Sequence, residues 1–151
     1  MRSARCRRSS CWGSAPVRRA RTGYKDTERN IRDSGEFVVN LVDEALAERM
    51  NICAVDFPIG TGELDEAELT PLPSVGVRPP RIAQSPVAFE CRRITGVSLG
   101  PCSMLEIGRV IHIHIRDDLV DREKIYVHTE RMRLIGRMHG AAGTPGPAIC
   151  F

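Results

Sequence analysis

Apolar and polar positions alternate most regularly in the second half of the chain. Val87, Phe89, Cys91 and Arg93 alternate with Ala88, Glu90, Arg92 and Ile94. After a turn at Gly100-Pro101 the alternation resumes over Leu105–Ile115, with Leu105, Ile107, Ile111, Ile113 and Ile115 on one face and Glu106, Val110, His112 and His114 on the other. A period of two sends successive side chains to opposite sides of a sheet, so these segments predict two antiparallel strands with one core face and one partly polar face. Towards the N-terminus, Lys25–Gly35 predicts a short helix, with Asp26 or Thr27 accepting from the free first-turn amides and Gly35 as its left-handed stop. Glu36–Leu41, with its adjacent valines, predicts a short buried strand. Asp43 then caps a second helix whose Ala45, Leu46, Arg49, Met50 and Cys53 make an incomplete apolar stripe.

Between these halves, Phe57–Pro86 holds six of the ten prolines and has one regular candidate, one or two helical turns in Glu63–Leu69. Long irregular excursions of this kind serve as lids, binding loops or partner contacts more often than as linkers. After the two strands, Asp117-Asp118 marks a turn, Lys124–Thr129 a further extended piece and Arg133–Met138 a last short strand. Gly140–Phe151 shows no periodicity, which places the end of the ordered domain near His139. The chain thus divides into a leader, 1–24, a domain, 25–140, and an irregular tail, 141–151.

Composition narrows the possibilities. A chain of 151 residues supports one core, and 42% hydrophobic with 27% charged residues excludes disorder throughout. No apolar run reaches the ~18–20 residues that a membrane span needs. The net charge of +3 conceals an asymmetry: seven arginines and no acid lie in residues 1–24, leaving 15 bases against 19 acids elsewhere. The basic character therefore belongs to the leader alone. The leader has too few apolar residues for an amphipathic transit peptide, and Trp12 is its single indole, without the aromatic interleaving or second basic patch expected for nucleic-acid binding. An unstructured leader is the expectation, with no nucleic-acid and no membrane partner. The cysteines at 6, 11, 53, 91, 102 and 150 form no CxxC pair, which points to reduced thiols in a cytosolic protein without structural zinc, and Cys91 shares the core face with Phe89 as a packing residue.

The most informative candidate chemistry is Lys25-Asp26-Thr27 followed by Asn30. It gathers a cation, a hydroxyl and unpaired amides at a helix N-terminus, the arrangement of an anion site, although an ordinary capped helix has the same residues. His112 and His114 point the same way from one strand but lack a third ligand at suitable spacing, so they are expected to face solvent or a partner rather than a metal. Gly60-Thr61-Gly62-Glu63 lacks the third glycine of a dinucleotide fingerprint, and GxSxG, HExxH and Walker signatures do not occur.

Taken in order, KDTERNIRDSGEFVVNLVDEALAERMN, LTPLPSVGVRPPRIAQSPVAFECR and IGRVIHIHIRDD resemble the flavin reductase-like family of FMN-binding split barrels. The resemblance implies a mainly β fold, an antiparallel split β-barrel of Greek-key type with short helices, forming a homodimer with FMN near the subunit interface. It implies hydride transfer from NADH or NADPH to the flavin, a flavin-accepting oxygenase as a partner and a cytoplasmic location. Because the flavin carries the chemistry, no nucleophile or triad is expected. Lys25, Asp26, Thr27 and Asn30 match the family's FMN-phosphate positions, the proline-rich excursion corresponds to the cover of the flavin face, and Gly136–Gly140 with His139 corresponds to a late segment approaching the cofactor. Family members carry several strands where this chain has its arginine-rich leader, so the resemblance also implies an incomplete barrel. A non-catalytic FMN- or partner-binding domain and an inactive fragment are the alternatives to a working reductase.

Overall fold

The computed structural model describes residues 26–55, 57, 62–100, 103–136 and 149–150, so the predicted leader, Lys25 and His139 lie outside the described residues. In chain order the elements are α1 (Asp26–Ser34), β1 (Glu36–Asn40), a 3-10 turn Glu44–Leu46 leading into α2 (Ala47–Ile52), α3 (Glu63–Glu66), β2 (Pro71–Leu72) and β3 (Arg81–Ile82). The long strands β4 (Val87–Gly100) and β5 (Ser103–Ile115) follow, and then β6 (Val120–Asp121), β7 (Tyr126–Val127), β8 (Ile135–Gly136) and β9 (Ile149–Cys150). β9 pairs with β8 inside the tail, a pairing that the tail's lack of periodicity did not signal.

Local chemistry sets the first elements. Gly35 closes α1 at φ 69°, donating its N–H to the Ile31 carbonyl at 2.9 Å, a conformation glycine adopts without Cβ strain. Ser34 Oγ lies 2.6 Å from the Asn30 carbonyl and 2.9 Å from that of Glu36, joining the last helical turn to β1. Asp43 Oδ1 accepts from Leu46 N–H at 3.1 Å, as its sequence position predicted.

The main sheet is antiparallel with order β1-β4-β5. β1 covers only Ala88–Arg92 of β4, and β4 is its one partner among the described residues. It is therefore less buried than its valines predicted: Val39 is 40% exposed and Phe37 and Val38 are half-buried.

The β4–β5 hairpin departs from simple alternation. His112 sits opposite Glu90 but Val110 sits opposite Cys91, so Ile111 is an extra residue in β5; Gly108 opposes Arg93 while Ile107 opposes Thr95, so Ile94 is an extra residue in β4. Each such bulge exchanges the two faces of its strand. Val110 consequently joins Ile113 and Ile115, opposite Cys91, Phe89 and Val87, while Leu105 and Ile107 pass to the other side. The single apolar face predicted for Leu105–Ile115 is thus split in two.

At the root of the hairpin, Val87, Leu119 and Met132 form the buried core, packed by Leu41, Phe89, Ile115, Val127 and Leu134. Burying a side chain such as Leu119 contributes roughly 1.5–3 kcal/mol. Among the described residues no helix is long and apolar enough to cross a membrane.

Gly108 lies directly under the Phe37 ring of β1, because a Cβ there would meet Phe37 Cζ at 2.5 Å, with the Arg92 carbonyl oxygen 3.3 Å away. Gly108→Ala is expected to destabilise the chain by about 1–3 kcal/mol through forced displacement of the ring. Chemical denaturation of the variant checks this, and an unchanged midpoint would show that Phe37 yields freely.

Candidate functional site

One carboxylate organises the polar side of the sheet. Glu90, in the middle of β4, is wholly buried. Its Oε1 accepts from Val75 N–H at 2.7 Å and from His114 Nε2 at 2.6 Å, and its Oε2 accepts from Gly76 N–H at 2.6 Å. Burial pushes the Glu90 pKa up, but the His114 hydrogen bond and the two amides outweigh it and hold the group at about 2, against an ordinary 4.5. The carboxylate is therefore the ionised acceptor of three donors, and it fastens the proline-rich loop Ser74–Pro80 onto the sheet. Arg78 adds a second tie: its N–H and Nε reach Glu36 Oε2 at 3.0 and 3.3 Å, and the Arg78 amide holds the Glu36 carboxyl below its usual range. Within the loop Ser74 Oγ donates to the Pro79 carbonyl at 2.6 Å.

This corrects the reading of the histidine pair. His112 is exposed, but His114 is turned inward to Glu90, and the two rings lie 4.6 Å apart, tilted by 47°. The register places His112 directly opposite Glu90 and His114 opposite Ala88, so one strand offers both rings to the same side. No group of three metal-ligating side chains occurs among the described residues. Cys91 is buried as predicted, and burial pushes its thiol pKa up, away from nucleophilic use.

The residues singled out as an anion site are only partly in view. Asp26 opens α1, and Thr27 and Asn30 are both exposed, three residues apart on neighbouring helical positions. The first amides of α1 lack helical partners by construction, so this end of the helix has the donor set for an anion. Lys25, His139 and the rest of 137–140 lie outside the described residues, and Gly136 is held in β8 by β9.

Two cavities flank Arg116. One, about 420 Å³, is lined by Asp43, Glu44, Ala45, Arg131, Met132 and Arg133 together with Arg116. The other, about 430 Å³, lies where β3 meets the root of β4–β5 and includes Arg81, Ser85, Ala88, His114 and Asp117 in its wall. Arg116 itself is neutralised, with Nε 2.6 Å from Asp118 Oδ1 and Nη1 3.7 Å from Asp43 Oδ2.

Comparison with known proteins decides the family. The family model described as a flavin reductase like domain matches residues 22–135. The chain belongs to the flavin reductase-like family. An uncharacterized protein of Deinococcus radiodurans is 41% identical over 127 residues, covering 83% of this chain and 56% of that protein. Among solved structures, nitrilotriacetate monooxygenase component B from Bacillus cereus is 31% identical with TM-score 0.72, covering 83% of this chain and 62% of that one. Pseudomonas fluorescens 2-nitrobenzoate 2-nitroreductase is also 31% identical, with TM-score 0.68, covering 80% of this chain and 58% of that one. This flavin reductase-like chain thus spans little more than half the length of its curated relative from Deinococcus radiodurans. The mainly antiparallel architecture agrees with the split-barrel fold of the family.

Sequence reasoning missed the Glu90–His114 pair in this flavin reductase-like domain, reading both as polar residues of a partly solvated face. The available signal was the proline-rich loop itself, whose amides need an acceptor wherever it crosses a sheet.

Replacing Glu90 by Gln keeps the shape but removes the charge, and is expected to cost about 2–4 kcal/mol of stability. Because the folded-state pKa of Glu90 lies below its ordinary value, its contribution is complete above about pH 5 and is lost as pH falls towards about 2. Denaturation midpoints measured across that range should fall steeply in the wild type and more gently in Glu90→Gln. Parallel profiles would remove Glu90 from the acid transition.

Proposed function

We propose that the chain binds FMN through the N-terminal turn of α1 and acts as an NAD(P)H-dependent flavin reductase, working as a cytoplasmic homodimer and supplying reduced flavin to an oxygenase. The observation that carries the reading is the start of α1, where the exposed Thr27 and Asn30 stand on one helical face at the end of a helix whose first amides have no acceptor within the helix itself. Lys25 immediately precedes α1 in the sequence. This donor set suits a phosphate monoester: amides and the Thr27 hydroxyl donate to oxygens, and the ammonium balances charge. When bound, the flavin supplies the redox chemistry by accepting hydride from the nicotinamide and passing electrons on. The protein's part is to hold and shield it. The Glu90-anchored loop is suited to that task, since the Val75 and Gly76 amides fix it to a buried carboxylate.

The hairpin supports the dimer. Beyond the span covered by β1, Ile94, Val97, Leu99, Leu105 and Ile107 are between 41% and 65% exposed, an apolar surface that a second copy of the chain would cover. The similarity to nitrilotriacetate monooxygenase component B supports an oxygenase as acceptor of the reduced flavin.

Titration with FMN followed by flavin fluorescence should show saturable binding, and Lys25→Ala with Thr27→Ala should weaken it by about 2–4 kcal/mol in sum. Equal affinity in the double variant would discard the helix site. Oxidation of NADH or NADPH on addition of FMN distinguishes a reductase from a non-catalytic binder. Sedimentation of Ile107→Lys should show a shift towards monomer relative to wild type; identical behaviour would place the dimer contact elsewhere.

A further inference from the structure

A row of charge crosses the main sheet next to Glu90. Glu36 of β1 lies opposite Arg92 of β4, and Arg92 lies opposite Arg109 of β5, so the three side chains leave the same face in line. Arg78 of the loop joins the row through its bonds to Glu36. Three guanidiniums thus stand around one carboxylate. That carboxylate is already engaged by Arg78, Arg92 Nη2 reaches only the Gly76 carbonyl at 3.4 Å, and the Arg109 guanidinium takes part in no hydrogen bond or ion pair among the described residues. Like charges directly opposite one another on a sheet face are destabilising, so the Arg92–Arg109 pair is a cost that the strands themselves do not recover.

The surroundings give the row a shape as well as a charge. Arg92 and Arg109 are exposed, and so are the apolar groups beside them: Val75 on the loop is 72% exposed, and Ile111, close against Gly76, is 37% exposed. The loop is fixed by Glu90 and Glu36 and the strands by their ladder, so the cations are positioned before any ligand arrives.

The rest of the chain is a poor source of the missing counter-charge. Outside the described residues Asp56 is the single acidic side chain, and residues 1–24 hold seven arginines. Asp117, Asp118, Asp121, Glu130 and Glu68 each already face a base of the same chain, which leaves the exposed acids of a second copy largely spent. After residue 24 the chain has 15 bases against 19 acids, so its net field disfavours a long polyanion on this face, whereas a short acidic segment feels the local row.

We propose that Arg78, Arg92 and Arg109 form a docking surface for an acidic segment of a partner protein, whose carboxylates meet the guanidiniums while its intervening apolar side chains cover Val75 and Ile111. The surface shares no residue with the α1 turn and stands whether or not the chain binds a flavin.

The probe is a short fluorescein-labelled peptide alternating glutamate with leucine, titrated with the full chain and followed by fluorescence anisotropy. Saturable binding that weakens with sodium chloride is expected, about tenfold or more weaker for Arg109→Glu and lost when Arg92→Glu is added to it. A peptide with glutamine in place of glutamate should not bind, and one with lysine in place of glutamate should bind the doubly reversed variant but not wild type. Arg109→Glu places opposite charges across the ladder, so its denaturation midpoint should rise as its binding falls, a combination that a damaged fold does not give. No binding of the glutamate peptide, equal affinity in Arg109→Glu, or equal affinity for the glutamine peptide overturns the surface. Inorganic phosphate displacing the peptide as effectively as the unlabelled peptide does, at equal ionic strength, also overturns it by reducing it to a general anion site. Self-association of wild type that Arg109→Glu abolishes gives the surface to a second copy and overturns its assignment to another protein.

Discussion

Burying an ionised carboxylate in the middle of a strand is tolerable only if every part of its charge is met, and that requirement at Glu90 shapes the surroundings. Three donors converge on it from two elements far apart in sequence: the amides of Val75 and Gly76 from the loop, and the imidazole of His114 from β5. Satisfying one charge therefore sets where the loop crosses the sheet, which ring of β5 turns inward and how closely Gly76 approaches. A Cβ on Gly76 would meet Ile111 Cδ1 at 3.0 Å, so the crossing is close as well as fixed. Prolines at 73, 79 and 80 reduce the freedom the loop gives up when it settles there.

The same loop is held at both ends. At one end it is pinned by Glu90 and by the Glu36–Arg78 pair, and at the other by Asn40 and Ser85. The α1 turn has no such scaffold in view and depends on local helix chemistry, with the Ser34 and Gly35 devices securing its far end.

Elements controlled by neighbours in sequence were legible before the structure. α1 and its Gly35 stop, the Asp43 cap and the two long strands follow from capping chemistry and a period of two. Features controlled by the partner strand were not. Alternation counts residues along one strand, whereas the faces of β4–β5 depend on extra residues at Ile94 and Ile111 that only the pairing reveals. Glu90 read as a solvated position because polarity alone does not say that two loop amides will arrive to bury it. β2 and β3, two residues each, are too short to leave a period, and their ladder was read as irregular chain. Helix-terminus chemistry picked out the candidate residues on α1 but favoured an ordinary capped helix, and the resemblance to a family turned the reading towards a phosphate.

The first two of the three register shifts offset one another, because β5 carries its extra residue at Ile111 and β4 answers with one at Ile94, after which the pairing follows its original register from Thr95–Ile107 to Ser98–Met104, before a last shift at Leu99. The hairpin thereby behaves like a text with a compensating pair of frame changes. Only the pairing between the bulges is offset, while the distal side chains stay on exchanged faces, and up to Ser98–Met104 the arm keeps a lateral alignment with the root that a single bulge would have destroyed. Sequence change in this arm is consequently constrained by parity rather than by composition: loss of either isoleucine position alone would shift every distal pair by one, while concerted loss of both would leave the pairs from Thr95–Ile107 to Ser98–Met104 in register and straighten the ribbon between.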